Sequence, residues 1–175
     1  MKCFKGREGF TLIEIMLVMA LLSILIMFLA GNFSTTLKRG RDQQRKNDLN
    51  SVQKALELYY EGNNTYPKFN IFSANALKKL CVTANCNSAE TVYMYKVPVD
   101  PYSAYGYKYV PEPTPVTGGP SSYYYLYSYI ENELDTGSGV SKTGFVGNPK
   151  CDTEETVNCR YYVSSSNAIP LVPNE

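Results

Sequence analysis

The sequence predicts an α+β fold. A long N-terminal helix, apolar in its first half and amphipathic in its second, is expected to pack against a small antiparallel sheet. Three observations carry this. From Ile15 to Leu37 no side chain ionises, and the run is dense in Leu, Ile, Met, Val and Phe. About 20 such residues in a helix cross a bilayer core, so a transmembrane segment is expected. Further on, Leu49, Val52, Leu56 and Tyr59 recur at helical spacing, with Ala55 and Tyr60 widening the stripe. After that come Tyr-rich segments of strand character, punctuated by Pro and Gly.

The first nine residues form a short basic leader with Lys2, Lys5 and Arg7, ending at Gly9-Phe10-Thr11-Leu12-Ile13-Glu14. A Sec-type signal places its apolar stretch ahead of the cleavage site and loses it. Here a cut after Gly9 would retain the apolar run. Glu14 lies inside the apolar start, and a charge at mid-membrane costs roughly 2.5–3.5 kcal/mol, so it needs a partner or a reason. Two local reasons exist. Thr11-x-x-Glu14 is a capping box, in which both side chains satisfy free amides at a helix start. A Glu near the membrane edge can also snorkel toward water.

Gly9 to Glu14 after a cationic leader resembles the class III leader of type IV prepilins and pseudopilins. The resemblance implies that a membrane aspartyl peptidase, the prepilin peptidase, cuts between Gly9 and Phe10 and methylates the new N-terminus. It assigns Phe10 and Glu14 to subunit assembly, the carboxylate neutralising the N-terminal ammonium of a neighbouring subunit. Residues 1–9 would be the leader, 10–37 the transmembrane and polymerisation helix, and 38–175 an extracytoplasmic pilin-like head with a loop-rich C-terminal part. The expected function is a structural subunit of a type IV pilus or type II secretion-like pseudopilus. The alternative is a low-copy minor pilin at the tip, for adhesion or DNA uptake. Implied partners are copies of itself and other pilins, the peptidase, the inner-membrane assembly platform and the lipid bilayer. The expected location is a single-pass membrane protein with an extracytoplasmic head, and a cell-surface or periplasmic filament after assembly.

Composition narrows the other classes. The formal net charge is +1, and removing residues 1–9 takes three cations and one acid, leaving about −1. That gives no general electrostatic case for nucleic-acid binding. The chain has no His, which removes the commonest general base and transition-metal ligand. No spacing nominates an active site, so no enzyme and no cofactor is expected. Of five cysteines, Cys3 lies in the leader and four fall as Cys81/Cys86 and Cys151/Cys159. Four cysteines allow three connectivities, and the two short loops are favoured because close partners form most readily. Disulfides are the default in an exported segment. Zinc is the weaker reading, since the spacings lack a knuckle.

One feature points the other way. Lys38, Arg39, Arg41, Arg45 and Lys46 flank the far side of the apolar run, and the positive-inside rule would place that side in the cytoplasm. The leader motif and the paired cysteines favour export instead.

The helix is expected from Phe10 to Glu61, about 78 Å at 1.5 Å per residue. Asp48, Gln53, Lys54 and Glu57 form its solvated face. Gly62 with Asn63-Asn64 gives a stop, and Pro67 bars continuation. Gly31 costs about 1 kcal/mol relative to Ala in a helix interior. It stands where related pilins commonly carry a proline that marks a melting segment. A short helix is expected over Ser73–Leu80, with Ser73 as N-cap. Strands are expected over Thr91–Lys96, Tyr105–Val110, Tyr123–Ile130 and Arg160–Ser164, with Pro111–Pro120 as a turn-rich piece. Val97 to Pro101, Tyr107 to Tyr109 and Tyr125 to Ser128 resemble the sheet region of pseudopilins. The resemblance fades from Thr136, where loops, one disulfide and a flexible tail are expected.

Two further sites suggest themselves. The tyrosines could stack single-stranded nucleic acid, but only Lys96 and Lys108 accompany them, so core packing is expected. Asp135-Thr-Gly-Ser-Gly139, with Asp152 and Glu154, offers oxygens for Ca²⁺. Major pseudopilins often hold calcium in a comparable loop, yet the spacing here matches no defined motif. Glu131, Glu133 and Asp135 read more simply as a solvated acidic edge.

Overall fold

A computed structural model describes residues 9–72, 79–84, 86, 89–112, 119–147 and 149–173, the side chains of 28–32 excepted. The chain divides into two units between Leu37 and Lys38.

Helix α1 (Leu12–Asn63) starts two residues later than expected. The reason is Thr11, which acts as its N-cap. Thr11 Oγ1 accepts from the Glu14 backbone N–H at 3.3 Å, and its carbonyl accepts from the Ile15 N–H at 3.3 Å. The helix runs through position 31 and ends at Asn63. Asn64 turns left-handed, with φ 55°, and donates its N–H to the Tyr60 carbonyl at 2.8 Å. Asn64 therefore makes the stop, whereas Gly62 stays helical. A Cβ on Gly62 would lie 2.8 Å from the Tyr93 hydroxyl, which accepts from Asn63 Nδ2 at 2.9 Å.

In the second unit, Leu49, Val52, Ala55 and Leu56 form the buried stripe of α1, with Tyr59 buried beside them. The sheet they pack on has three antiparallel strands in the order β3–β4–β5: Lys108–Glu112, Tyr123–Ser128 and Tyr161–Ser164. Tyr109 pairs with Leu126 and Tyr127 with Tyr162. Pro111 belongs to β3, contrary to its expected place in a turn. β3 is an edge strand, where proline's missing N–H breaks no ladder.

Alternation along β4 explains the packing. Tyr124 and Leu126 face the helix cluster, while Tyr125 and Tyr127 face a second cluster with Phe145, Cys151 and Cys159. Tyr162, Ala168 and Leu171 pack against that second cluster. The expected strand over Arg160–Ser164 and the expected disulfide are both present after Thr136, and the loops around them are packed down to Leu171. This segment supplies β5 and covers the other face of the sheet, and because both faces are apolar, both had to be covered.

A second, two-stranded sheet joins β1 (Leu80–Cys81) to β2 (Val92–Met94), with Leu80 opposite Met94. Leu80 is thus a strand residue and not the end of a helix. The rest of the expected short helix, positions 73–78, lies outside the described residues.

The core is rich in tyrosine, and several of the hydroxyls reach acceptors on α1 or in the loops. Tyr107 donates to Asp48 at 2.7 Å, Tyr109 to the Pro67 carbonyl at 2.7 Å, and Tyr59 to the Val82 carbonyl at 3.0 Å. Tyr66 and Tyr124 both donate to Glu57, at 2.9 and 3.0 Å. Asp48 and Glu57 are therefore not a solvated face but acceptors for the sheet's hydroxyls. Burial pushes the Asp48 carboxyl above its ordinary value, the Tyr107 bond opposing the shift.

Candidate functional site

In the first unit the elements of the N-terminal motif occupy the start of α1. Gly9 and Phe10 are exposed and precede the helix, Phe10 at 81%. Glu14 sits in the first turn and is exposed; among the described residues its carboxylate makes no hydrogen bond or ion pair. An acid in the first turn also suits the positive end of the helix dipole. Leu12, Ile13, Met16, Leu17 and Met27 are exposed apolar residues on the turns that follow. Among the described residues no helix is long and apolar enough to cross a membrane. The expected span of 10–37 includes side chains 28–32, which lie outside the described residues.

The cysteines of the second unit pair within short loops, Cys81 with Cys86 and Cys151 with Cys159. Cys151 and Cys159 are buried in the second cluster, so this bridge is also a piece of core.

The most heavily charged place in the second unit is where one side of α1 meets the segments after β2 and β4. Arg45 is fully buried; it donates to both oxygens of Asp100 at 2.8 and 2.9 Å, and to Asp42 and Glu131 at 2.9 and 2.8 Å. Arg41 makes a second fork onto Glu131. Asp42 accepts the backbone N–H groups of Glu131 and Asn132, at 2.9 and 2.8 Å. Lys46 Nζ lies 2.6 Å from Asp135 Oδ2. Hydrogen bonding from Arg41 holds the Glu131 carboxyl below its ordinary value despite burial, with Arg45 adding to the effect. At Asp135 burial opposes ionisation, but the Lys46 ammonium and the Gly137 N–H outweigh it and the carboxyl is lowered.

Of the expected solvated edge Glu133 is exposed, whereas Glu131 and Asp135 are anchored to the helix. Sequence reasoning passed over Asp42, read Asp100 only as part of a turn, and saw Arg41, Arg45 and Lys46 only as membrane-flanking charge. The structure gives these three cations a second purpose inside the fold, which bears on the charge asymmetry that pointed toward the cytoplasm. A legible hint was Asp42-x-x-Arg45, an ion-pair spacing on one helix face.

The aromatic surface has the same explanation. Tyr105 stacks on Tyr129 at 4.2 Å, with Arg45 and Arg160 over the two rings. Arg45 is bound to acids and Arg160 to the Ile130 and Ser141 carbonyls, so neither cation beside this stacked pair is left free for a phosphate.

The oxygens proposed for calcium go to separate partners. Asp135 Oδ2 meets Lys46 and its Oδ1 accepts from Gly137 N–H at 3.0 Å. Asp152 accepts from the Thr156 and Val157 N–H groups and the Thr156 hydroxyl, within the disulfide loop. Among the described residues no three acidic, Cys or His side chains converge to hold a metal ion. With an ammonium already on its carboxylate, the Asp135 loop does not fit a calcium ion.

Comparison with known proteins covers both units. The family described as prokaryotic N-terminal methylation motif matches residues 4–30, and type II secretion system protein G matches residues 32–142. The chain is 32% identical over 125 residues to type II secretion system core protein G of Pseudomonas aeruginosa, covering 70% of this chain and 84% of that one. It is 28% identical over 102 residues to the protein of that name from Vibrio cholerae, covering 58% and 70%. It is 37% identical over 62 residues to a type IV wide pilus major component of Thermus thermophilus, covering 35% and 47%. No solved structure matches significantly.

Proposed function

The chain belongs to the type II secretion system protein G family, and we propose that it acts as a pseudopilin, a structural subunit that polymerises through its N-terminal helix. The observation that carries this is the N-terminal start itself. An exposed Gly9-Phe10 junction leads into a helix whose first turn presents Glu14 and whose next turns present apolar side chains. A lone soluble domain gains nothing from such a surface, whereas a helix buried among copies of itself, or in lipid, does. In this reading prepilin peptidase cuts after Gly9 and the Phe10 amine is methylated. Residues 10–37 hold the subunit in the bilayer before assembly, supported by the absence of any ionisable side chain from Ile15 to Leu37. The head, from residue 38 on, is extracytoplasmic, which suits its two disulfides. A pilus rather than a pseudopilus is the second reading, favoured by the likeness to the Thermus pilus component over a shorter stretch.

The test is the intact mass of the chain in filaments isolated from cells that express it. The expected species starts at Phe10 and carries one added methyl. An intact Met1 in assembled material would sink the proposal.

A further inference from the structure

We infer that Lys46 is the resident cation of the Asp135 loop, so that this head holds its post-β4 loop by an internal ammonium and needs no divalent metal there. Arg41, Asp42, Arg45 and Lys46 lie at successive i, i+1, i+4, i+5 positions of α1, which places them on one side of the helix. Together they grip the loop at three points. The two arginines hold Glu131, Asp42 takes the N–H groups of Glu131 and Asn132, and Lys46 takes Asp135.

The last contact is the one at issue. Lys46 Nζ stands 2.6 Å from Asp135 Oδ2 and 5.4 Å from the centre of the Tyr161 ring, and the two charged side chains are only 20% and 18% exposed. A calcium ion takes six to eight oxygens at about 2.3–2.6 Å. Asp135 offers one carboxylate, of which one oxygen faces an ammonium and the other a backbone N–H. A second cation at that oxygen would meet Lys46 at close range, where like charges repel strongly.

Hydrogen bonds within the chain close the surrounding turn. Gly137 N–H bonds Asp135, Val140 N–H bonds the Gly137 carbonyl at 3.1 Å, and the Gly139 carbonyl accepts from Tyr162 N–H at 2.9 Å. Gly139 has φ 75°, and a Cβ there would lie 2.5 Å from the Tyr162 carbonyl oxygen, so the loop is seated directly on β5. The clamp lies within the head and is independent of whether the subunit enters a filament.

The experiment uses the full chain in detergent micelles, probed with calcium chloride alone. Isothermal titration of the wild type should give no binding heat, and its Tm should be the same in calcium and in EGTA. In Lys46→Met, amide exchange at residues 133–138 should quicken roughly two- to fivefold, the range set by a partly exposed ion pair. Lys46→Arg should keep the wild-type rate, and Asp135→Asn should quicken exchange as Lys46→Met does. Saturable calcium binding to the wild type, or a Tm that falls in EGTA, would overturn the inference. So would unchanged exchange in both Lys46→Met and Asp135→Asn.

Discussion

Arg45 and Asp100 face each other as a bidentate pair, Nε to Oδ2 at 2.8 Å and Nη2 to Oδ1 at 2.9 Å, with both side chains almost wholly buried. The contact ties the middle of α1 to the turn after β2. The third nitrogen of the same guanidinium reaches Asp42 and Glu131, so one cation serves three carboxylates. Burial opposes its charge, yet the acids win and hold the guanidinium more firmly protonated than usual. Removing Arg45 would take the paired cation from buried Asp42 and Asp100, while Glu131 keeps Arg41. Arg45→Met is therefore expected to cost about 3–5 kcal/mol in urea unfolding, as breaking a buried pair typically does. Arg45→Lys should fall between the two, because an ammonium cannot reproduce the fork. A wild-type midpoint in Arg45→Met would contradict this.

Acid should loosen the same region. The folded-state values of Glu131 and Asp135 are depressed below 4.5 and 3.8 respectively. The stability they contribute is therefore present above those values and is lost as pH falls through the lower folded ones. Asp48 has the opposite sign, because burial raises it; its cost is relieved by protonation as pH falls. The urea midpoint of the wild type is expected to drop below about pH 4. The Glu131→Gln, Asp135→Asn double variant should start lower at pH 7 and show a shallower acid slope. Parallel slopes would place the acid sensitivity elsewhere.

The two disulfides should differ in their consequences. Each closes a short loop, 5 and 8 residues in separation, worth about 2–3 kcal/mol on loop entropy. Cys151–Cys159 also fills the cluster of Tyr125, Tyr127 and Phe145. Replacing that pair with serine should cost more than replacing Cys81 and Cys86, since it puts two hydroxyls into a buried apolar site, whereas of the other pair only Cys81 is buried. Non-reducing peptide mapping checks the pairing, and paired Cys→Ser variants in thermal unfolding check the order.

Glu14 allows a test that separates helix capping from assembly. Thr11→Ala removes the side chain that accepts from the Glu14 N–H and should cost roughly 1 kcal/mol of helix-end stability, with assembly preserved. Glu14→Ala should leave Gly9 cleavage intact yet block incorporation. In a filament it would strand the Phe10 ammonium of a neighbour, at 3–5 kcal/mol for a buried pair. Filament yield by shearing and immunoblot measures both. Normal filaments from Glu14→Ala would defeat the pairing role and leave the cap standing.

Gly9 carries the last prediction. Replacing it with leucine should leave unprocessed precursor in the membrane, visible as a leader-length mass difference. Processing at the normal rate would remove Gly9 from the recognition site.

The sequence by itself determined the features that are local in the chain. The Leu49, Val52, Leu56 and Tyr59 stripe rests on spacing over a few residues, the Gly9-to-Glu14 motif on six contiguous residues that resemble a known leader, and the short-loop cysteine pairs were favoured among three connectivities because the partners are close in the chain. Spacing is a property that a helix or a small loop converts directly into position. Tertiary structure decided everything that needed two distant segments to meet. Only the fold shows that Arg45 is closed by Asp100 and Glu131, 55 and 86 residues away. The same holds for Tyr66 and Tyr124 sharing Glu57, and for β5 joining β4 so that the C-terminal segment covers the sheet's second face. A charge beside an apolar run looks solvated in sequence because its partner has no fixed offset. Whether Asp135 waits for a metal or already holds a lysine is set by which helix face the loop lands on, and no periodicity along the chain encodes that.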